Sequence, residues 1–409
     1  MNIALFEDSG YRQLLPLVWL RAGFELRCGR DCLIDKIRAH AGGPLARVYV
    51  RPELEAVARE RIRLDPPLPS EPWCLLNARL LVTGDLKPPP VGAAWHPPGA
   101  LLAATVSAGD AERLSADMFL DDRRLAEWAA SLRREEPPSQ VRLIEHPWDL
   151  VLANDAELRR QCGDGGVHVG EIHPAAHLVQ SGRIHVAARA RIKPGVVLDA
   201  ESGPIHIDRD ALIESNAVVQ GPCAIGAGSI VRPGAVLRGG VSVGPVCKVG
   251  GEIEASIFQG YANKQHDGFL GHSFVGSWVN LGADTVTSDL KNTYGTIRVS
   301  LNGRPVESGQ HFVGSFIADH AKTGIGTILP TGCVIGVAAN VFTRRPVPKF
   351  VPSFAWLTDE GLTAYQVDRA IRIAQIVMSR RDVHLSDAEA ALLARTAELA
   401  RAVEAAGWA

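Results

Sequence analysis

From Ile207 to Val249 an aliphatic residue returns at every sixth position: Ile207, Ile213, Val219, Ile225, Val231, Leu237, Val243 and Val249. Small residues and turn formers fill the gaps, as in Ile225-Gly226-Ala227-Gly228-Ser229-Ile230. A six-residue period fits neither the 3.6-residue helix nor the two-residue strand. It predicts a parallel β-helix built of hexapeptides, each forming one flat side of a triangular coil and burying one aliphatic side chain. An earlier run, Ile172, Leu178, Ile184, Ala190 and Val196, leads into it. A later run is read at Val275-Gly276, Leu281-Gly282, Val313-Gly314, Ile325-Gly326, Thr331-Gly332 and Val337, a frame that puts Asp319 on an inward position. Together the runs predict about six to seven coils and a prism roughly 30 Å long, at about 4.8 Å per coil.

The period fails twice, between Glu254 and Phe274 and between Ser288 and Phe312. Departures from a repeat map to loops leaving one face, commonly the binding face. The amino-terminal part has no such period. Strands are predicted at Met1–Phe6, Arg47–Val50, Trp73–Leu76 and Leu80–Gly84, with helices at Cys32–His40, Pro52–Arg63, Leu114–Arg134 and Val151–Cys162. This alternation predicts an α/β domain that binds ligands at the carboxyl ends of its strands. After the prism, Leu362–Arg380 reads as a helix, and Ser386-Asp387-Ala388-Glu389 as a capping box opening a second one. The expected domains are 1–162, 167–357 and a helical hairpin tail, 358–409.

Composition narrows the function classes. The net charge is −2 with 22% charged residues, so bulk charge points to neither nucleic acid nor an acidic membrane as partner. No apolar run reaches the length of a membrane span. The seven cysteines form no CxxC, and no signal peptide is read at Met1-Asn2-Ile3. The expectation is a cytoplasmic protein with reduced, buried thiols. His168, His173, His177, His185 and His206 lack metal-ligand spacing and read as surface residues. That also speaks against a prism with a three-histidine metal site.

The first break holds Lys264, His266, Phe269 and His272, and the coil after it holds Asn280. A loop histidine suits proton removal because its pKa lies near working pH. The alternative is a solvated or structural ring, the reading preferred for His272. Lys264, Lys291 and Lys322 are candidate phosphate ligands or plain surface lysines. Asn280 is a sugar ligand or a corner residue satisfying backbone groups.

Two stretches carry a resemblance. Leu15-Pro16-Leu17, Arg21, Glu25-Leu26-Arg27, Gly29 and Asn77-Ala78-Arg79 resemble the amino-terminal module of a bacterial family of sugar-phosphate nucleotidyltransferases with a hexapeptide domain behind it. Lys264-x-His266-x-x-Phe269-Leu270-Gly271 and Val279-Asn280-Leu281-Gly282-Ala283 resemble the acetyltransferase half of the bifunctional N-acetylglucosamine-1-phosphate uridylyltransferase/glucosamine-1-phosphate acetyltransferase. The resemblance implies a nucleotidyltransferase-like α/β domain followed by a left-handed β-helix in a homotrimer with sites between prisms. It implies sugar-nucleotide biosynthesis for the cell envelope. The substrates would be an NTP, a sugar phosphate or sugar nucleotide, and acyl-CoA (acetyl-CoA) as co-substrate, with Mg²⁺ at the amino-terminal domain. It implies His266 as general base and Lys264, Phe269, Asn280, Lys291 and Lys322 as acceptor or CoA ligands. Phe269 stands where that enzyme has Tyr.

On the nucleotide side the resemblance assigns Arg21, Arg27 and Asn77, with no metal ligand fixed. The family's GxGxR loop is replaced by Glu7-Asp8-Ser9-Gly10-Tyr11-Arg12, and its strand-end Asp by Asn77. Arg21 and Arg27 either clamp phosphates or pair with Glu25, Asp8 or Asp35. The alternative function is therefore a single-activity acyltransferase whose first domain has become a binding or regulatory module.

Overall fold

The computed structural model describes residues 1–407, and the chain separates into two compact units. The first comprises Met1–Leu26 and Asp31–His146; the second comprises Arg27–Arg30 and everything from Pro147 onward.

The first unit is built on a six-stranded mixed sheet in the order Leu45–Tyr49, Asn2–Phe6, Trp73–Asn77, Ala103–Val106, Ala93–Trp95, Arg133–Glu135. The first three strands are parallel. Asn2–Phe6 is buried along its whole length, as a strand covered on both faces must be. Phe119 packs on one face, stacked on Phe6 at 4.6 Å and tilted against Tyr49 at 5.1 Å. Buried Arg51 ties the loop 14–26 to the strand ends: it donates to Glu7 Oε1 at 2.6 Å and to the Arg21 carbonyl at 3.2 Å. The helix expected over Leu114–Arg134 is broken into Ala116–Leu120 and Asp122–Ala130, and Arg133–Glu135 instead pairs as an edge strand. Asp121 causes the break, since its carboxylate caps the second helix at the N–H groups of Arg123 and Arg124.

The second unit is a three-faced parallel β-solenoid. One face carries nine strands, from Ile184–Val186 to Phe350–Val351. The other two faces begin as six-stranded sheets, ending at Asn263–Lys264 and Phe269–Gly271. Nine rungs exceed the six to seven expected and span roughly 40 Å at the standard strand spacing. Part of the difference is the coil through the first break, where the lost period reads as a loop. Ile257–Phe258, Asn263–Lys264 and Phe269–Gly271 in fact continue the three faces in register. All eight aliphatic residues from Ile207 to Val249 are at most 2% exposed.

Val275 and Leu281 are buried in the solenoid core as expected, and from Val313 onward the later run is read two residues out of frame. The inward positions are Ile317, Thr323, Leu329, Ile335 and Val341, all buried. Ile325 is 81% exposed. Asp319 sits at a turn, where its carboxylate accepts from the Ser277 N–H at 2.6 Å. The second break does leave the solenoid, for Phe274 pairs with Phe316 across 42 residues where eighteen separate Cys223 from Val241. It contains an antiparallel hairpin, Arg298–Leu301 with Arg304–Glu307, turned at Asn302-Gly303 with both φ positive. At the other end, Gly361–Ala364 is a strand on Ala355–Thr358 rather than the start of a helix. The tail helices are Val367–Ser379 and Asp387–Val403, the latter opened by the Ser386/Glu389 capping box.

Candidate functional site

Lys264 follows Asn263 in the rung after Val249, and Val249 is its ladder partner. That register turns Lys264 inward, and it is 2% exposed. Its ammonium donates to the carbonyls of Gly250 at 3.0 Å and His266 at 2.7 Å. Burial pulls its pKa down to about 8, against the opposing pull of Asp267 and Asp284. Lys264 therefore fixes the backbone that presents His266, whose ring is exposed at the corner of the coil. On the same face Asn263, Asn280 and Lys322 succeed one another. Asn263 Nδ2 approaches Asn280 Oδ1 at 3.4 Å, and Arg381 donates to Asn263 Oδ1 at 2.9 Å. The Asn280 side chain is exposed. Lys322 donates to the His320 carbonyl at 2.9 Å, and burial brings its pKa down to about 8.

Phe269 and Lys291 lie off this ladder. Phe269 opens the strand on the next face, half-buried. Lys291 donates to the Thr296 carbonyl in the second break. A feature that sequence reasoning set aside is His272. Its Nδ1 lies 2.8 Å from Asp289 Oδ2, and its ring stacks on Phe312 at 5.1 Å. The ring, with Leu152, Leu290, Tyr294, His311 and Phe312, lines a cavity of about 530 Å³. A carboxylate on one ring nitrogen orients an imidazole for proton transfer at the other. Gly271 is required beside it, because a Cβ there would meet Asp289 Oδ2 at 2.2 Å and the Phe269 ring at 2.5 Å. Only the folded register brings Asp289 to His272.

In the first unit the strand ends are closed by an internal ion pair. Arg79 donates to Asp8 Oδ1 at 3.0 Å and to Oδ2 at 2.8 Å, a two-pronged contact between buried groups. Asn77, fully buried, donates to Asp8 Oδ2 at 2.8 Å and accepts from the Arg79 N–H at 2.9 Å. Gly10 makes room for the guanidinium, since a Cβ there would lie 2.1 Å from it. A cleft of about 460 Å³ opens beside the pair, lined among others by Ser9, His96, Pro98, Leu101 and Arg134. Arg21 is buried with the loop 14–26. Arg27 belongs to the second unit, where its Nε donates to the Gln259 carbonyl at 3.3 Å. Arg79 lines the cleft, and Arg21 and Arg27 are not among its lining residues.

Metal sites are not assembled. Among the described residues no three His, Cys, Asp or Glu side chains converge on one point. Mg²⁺ needs carboxylate oxygens left open to it, yet both Asp8 oxygens are held by Arg79 and Asn77. The ion does not fit this arrangement. The seven cysteines are free thiols. His206 is buried rather than on the surface, stacked parallel on His185 at 4.5 Å. No helix among the described residues is long and apolar enough to cross a membrane.

Both modules have relatives. Residues 3–162 match the family described as sugar nucleotidyl transferase, and residues 204–239 match the bacterial transferase hexapeptide (six repeats). The chain thus joins a nucleotidyltransferase-like domain to a hexapeptide solenoid, and the hexapeptides fit the left-handed parallel β-helix. Over 151 residues the chain is 30% identical to a bifunctional sugar-1-phosphate nucleotidylyltransferase/acetyltransferase of Sulfurisphaera tokodaii, covering 36% of this chain and 38% of that protein. Over 244 residues it is 27% identical to the bifunctional protein GlmU of a Synechococcus strain, covering 58% of this chain and 48% of that protein. The chain therefore spans between a third and a half of the length of these relatives. Among solved structures, the UDP-N-acetylglucosamine acyltransferase of Francisella novicida overlaps 58% of this chain and 88% of its own, at 16% identity and a TM-score of 0.30. PerB of Caulobacter crescentus, solved with CoA and GDP-perosamine, overlaps 41% and 53%, at 19% identity and a TM-score of 0.19.

Proposed function

We propose that the second unit transfers an acyl group from acyl-CoA to an amine or hydroxyl of a sugar phosphate or sugar nucleotide, with His266 as general base. The observation that carries this reading is the Lys264 anchor. A buried ammonium spends two hydrogen bonds on holding the backbone on which an exposed imidazole sits. Such support is costly in the core of a solenoid and serves to fix the loop that carries the ring. In the proposed step neutral His266 accepts the proton of the acceptor nucleophile as it attacks the thioester carbonyl, and the CoA thiolate leaves. Asn280 contacts the acceptor sugar. The sequence likeness to bifunctional nucleotidylyltransferase/acetyltransferases supports the reaction class.

The test is release of free CoA from acetyl-CoA with a panel of aminosugar phosphates and sugar nucleotides. His266→Ala should lower turnover by about 10²- to 10⁴-fold, the range for losing a general base, while His272→Ala keeps most of it. The reverse pattern would move the base to the His272–Asp289 pair, and full activity in both variants would remove general base catalysis by either ring.

A second reading concerns the first unit, which we infer binds a nucleotide or sugar nucleotide without condensing one. The Asp8–Arg79 pair favours it, because the cation and the carboxylate that transfer would need at the strand ends are spent on each other. Pyrophosphate release from an NTP and a hexose 1-phosphate would sink this reading.

A further inference from the structure

We propose that the basin beneath the Arg298–Glu307 hairpin is a binding site for a phosphate monoester, the 3′-phosphate of acyl-CoA being the ligand that fits the reaction proposed above. The choice of CoA rests on that reading; the phosphate site does not.

The hairpin departs from the solenoid and, with Lys349 from the coil behind it, borders an open depression of about 550 Å³. Its lining includes three cationic side chains, Lys291, Arg298 and Lys349, two hydroxyls, Thr296 and Ser300, and one carboxylate, Glu307. Arg298 Nε donates to Glu307, so the carboxylate is matched to one cation and the depression keeps a surplus of positive charge. Each cation is also fixed in place. Lys291 donates to the Thr296 carbonyl, and Lys349 donates to the Arg298 carbonyl at 3.2 Å. These bonds to neutral oxygens position the ammonium groups without neutralising them.

Crowding like charges costs stability. The Lys349 pKa is drawn down first by burial and then by the nearby charges of Lys291 and Arg298. A dianion placed among the three would relieve that repulsion and gain charge-assisted hydrogen bonds from fixed donors. A concave, hydroxyl-lined pocket of this size suits a phosphoryl group on a small organic body better than a flat polyanion surface. The hexapeptide period needs no such hairpin, so its cations are additions to the fold rather than parts of its core.

The test uses the full chain and adenosine 3′,5′-bisphosphate, adenosine 5′-monophosphate and glucosamine 1-phosphate as calorimetric ligands, with Lys349→Gln and Arg298→Gln as variants. Removing the Lys349 charge eases the repulsion, so Lys349→Gln should fold at least as stably as the parent, which thermal unfolding checks. The wild type should bind the bisphosphate about tenfold or more tightly than the monophosphate, and Lys349→Gln should cut that preference to about twofold. The preference should also weaken as salt rises. A glucosamine 1-phosphate affinity that falls in Lys349→Gln, with no bisphosphate preference, would support the phosphate site and overturn its assignment to CoA. Affinities for all three ligands that ignore both substitutions would overturn the site itself. Lys349-dependent bisphosphate binding without any acyl turnover would leave this site standing and count against the acyl-transfer reading alone.

Discussion

Lys264 shows how much a single register can change a residue's meaning. In the sequence it is a loop lysine beside a candidate histidine, and it reads as either a phosphate ligand or a plain surface lysine. In the fold it takes the position that Ile192, Ile213, Val231 and Val249 hold on the rungs before it. Its depressed pKa makes stability depend on pH with a definite sign. Between about pH 8 and 10.4 the unfolded chain keeps a proton on this lysine that the folded chain has released, so folding is favoured more strongly as pH rises through that window. Four buried thiols act in the opposite sense. Burial pushes Cys74, Cys247 and Cys333 up to about 12 and raises Cys223 as well. Their stabilising contribution is full below the unfolded thiol pKa and is lost as pH rises above it. The difference between wild type and Lys264→Met cancels the thiols. Urea unfolding from pH 7.5 to 10.5 should show the wild type gaining up to about 3 kcal/mol on the variant, from the conversion of a pKa shift into free energy. Parallel pH profiles would mean that the ammonium is solvated in solution.

At the scale of elements, the solenoid is legible where an unbroken sixfold run of aliphatic residues fixes the frame, and illegible where loops or polar inward residues break that run. Ile207 to Val249 announces itself because the period is set by burial alone. The rungs holding Lys264 and the inward Thr323 are hidden for the same reason, since polar residues there interrupt the pattern without interrupting the backbone ladder. The two-residue slip after Val313 followed from glycine: Gly314, Gly326 and Gly332 suggested turns, and several frames place an apolar residue beside a turn. The hairpin had a local signal, Asn302-Gly303 between two short strands, which a search for sixfold repeats passes over.

The tail helix is anchored by a contact of the same illegible kind. Glu404, fully buried, accepts from the Ser353 N–H at 2.6 Å and from its hydroxyl at 2.9 Å, while that hydroxyl accepts from the Val337 N–H at 3.0 Å. Glu404→Ala should strand two buried donors and cost about 2–6 kcal/mol, at about 1–3 kcal/mol per unsatisfied group. Exposed Glu398→Ala should cost less than about 1 kcal/mol. Hydrogen exchange should locate the loss at Ser353 and Phe354, the end of the coil. Uniform loosening of the solenoid would contradict a local cap.

At the scale of the whole chain, the two candidate sites are built on opposite principles. The solenoid presents an exposed imidazole and a surplus of positive charge. The α/β unit closes its strand ends with its own ion pair, Asp8 and Arg79. The substitution that matters was visible as the Asp8-Ser9-Gly10 stretch replacing a glycine-rich basic loop, but its consequence was not, because Arg79 lies 71 residues away in sequence. A ligand for the first unit should therefore bind through the adjoining cleft. With UTP present, hydrogen exchange should slow at residues 96–101 and around the helix Asp122–Ala130, and no pyrophosphate should appear when a hexose 1-phosphate is added. Asp8→Asn should free the Arg79 guanidinium and tighten UTP binding, by up to about tenfold for one fixed cation made available to a phosphate. Acetyl-CoA should leave these segments unchanged and slow exchange around 263–272 and 291–307. Were UTP instead to protect nothing in the first unit, and Asp8→Asn to leave its affinity unchanged, the ion pair would be a structural brace and the cleft would not be a nucleotide site.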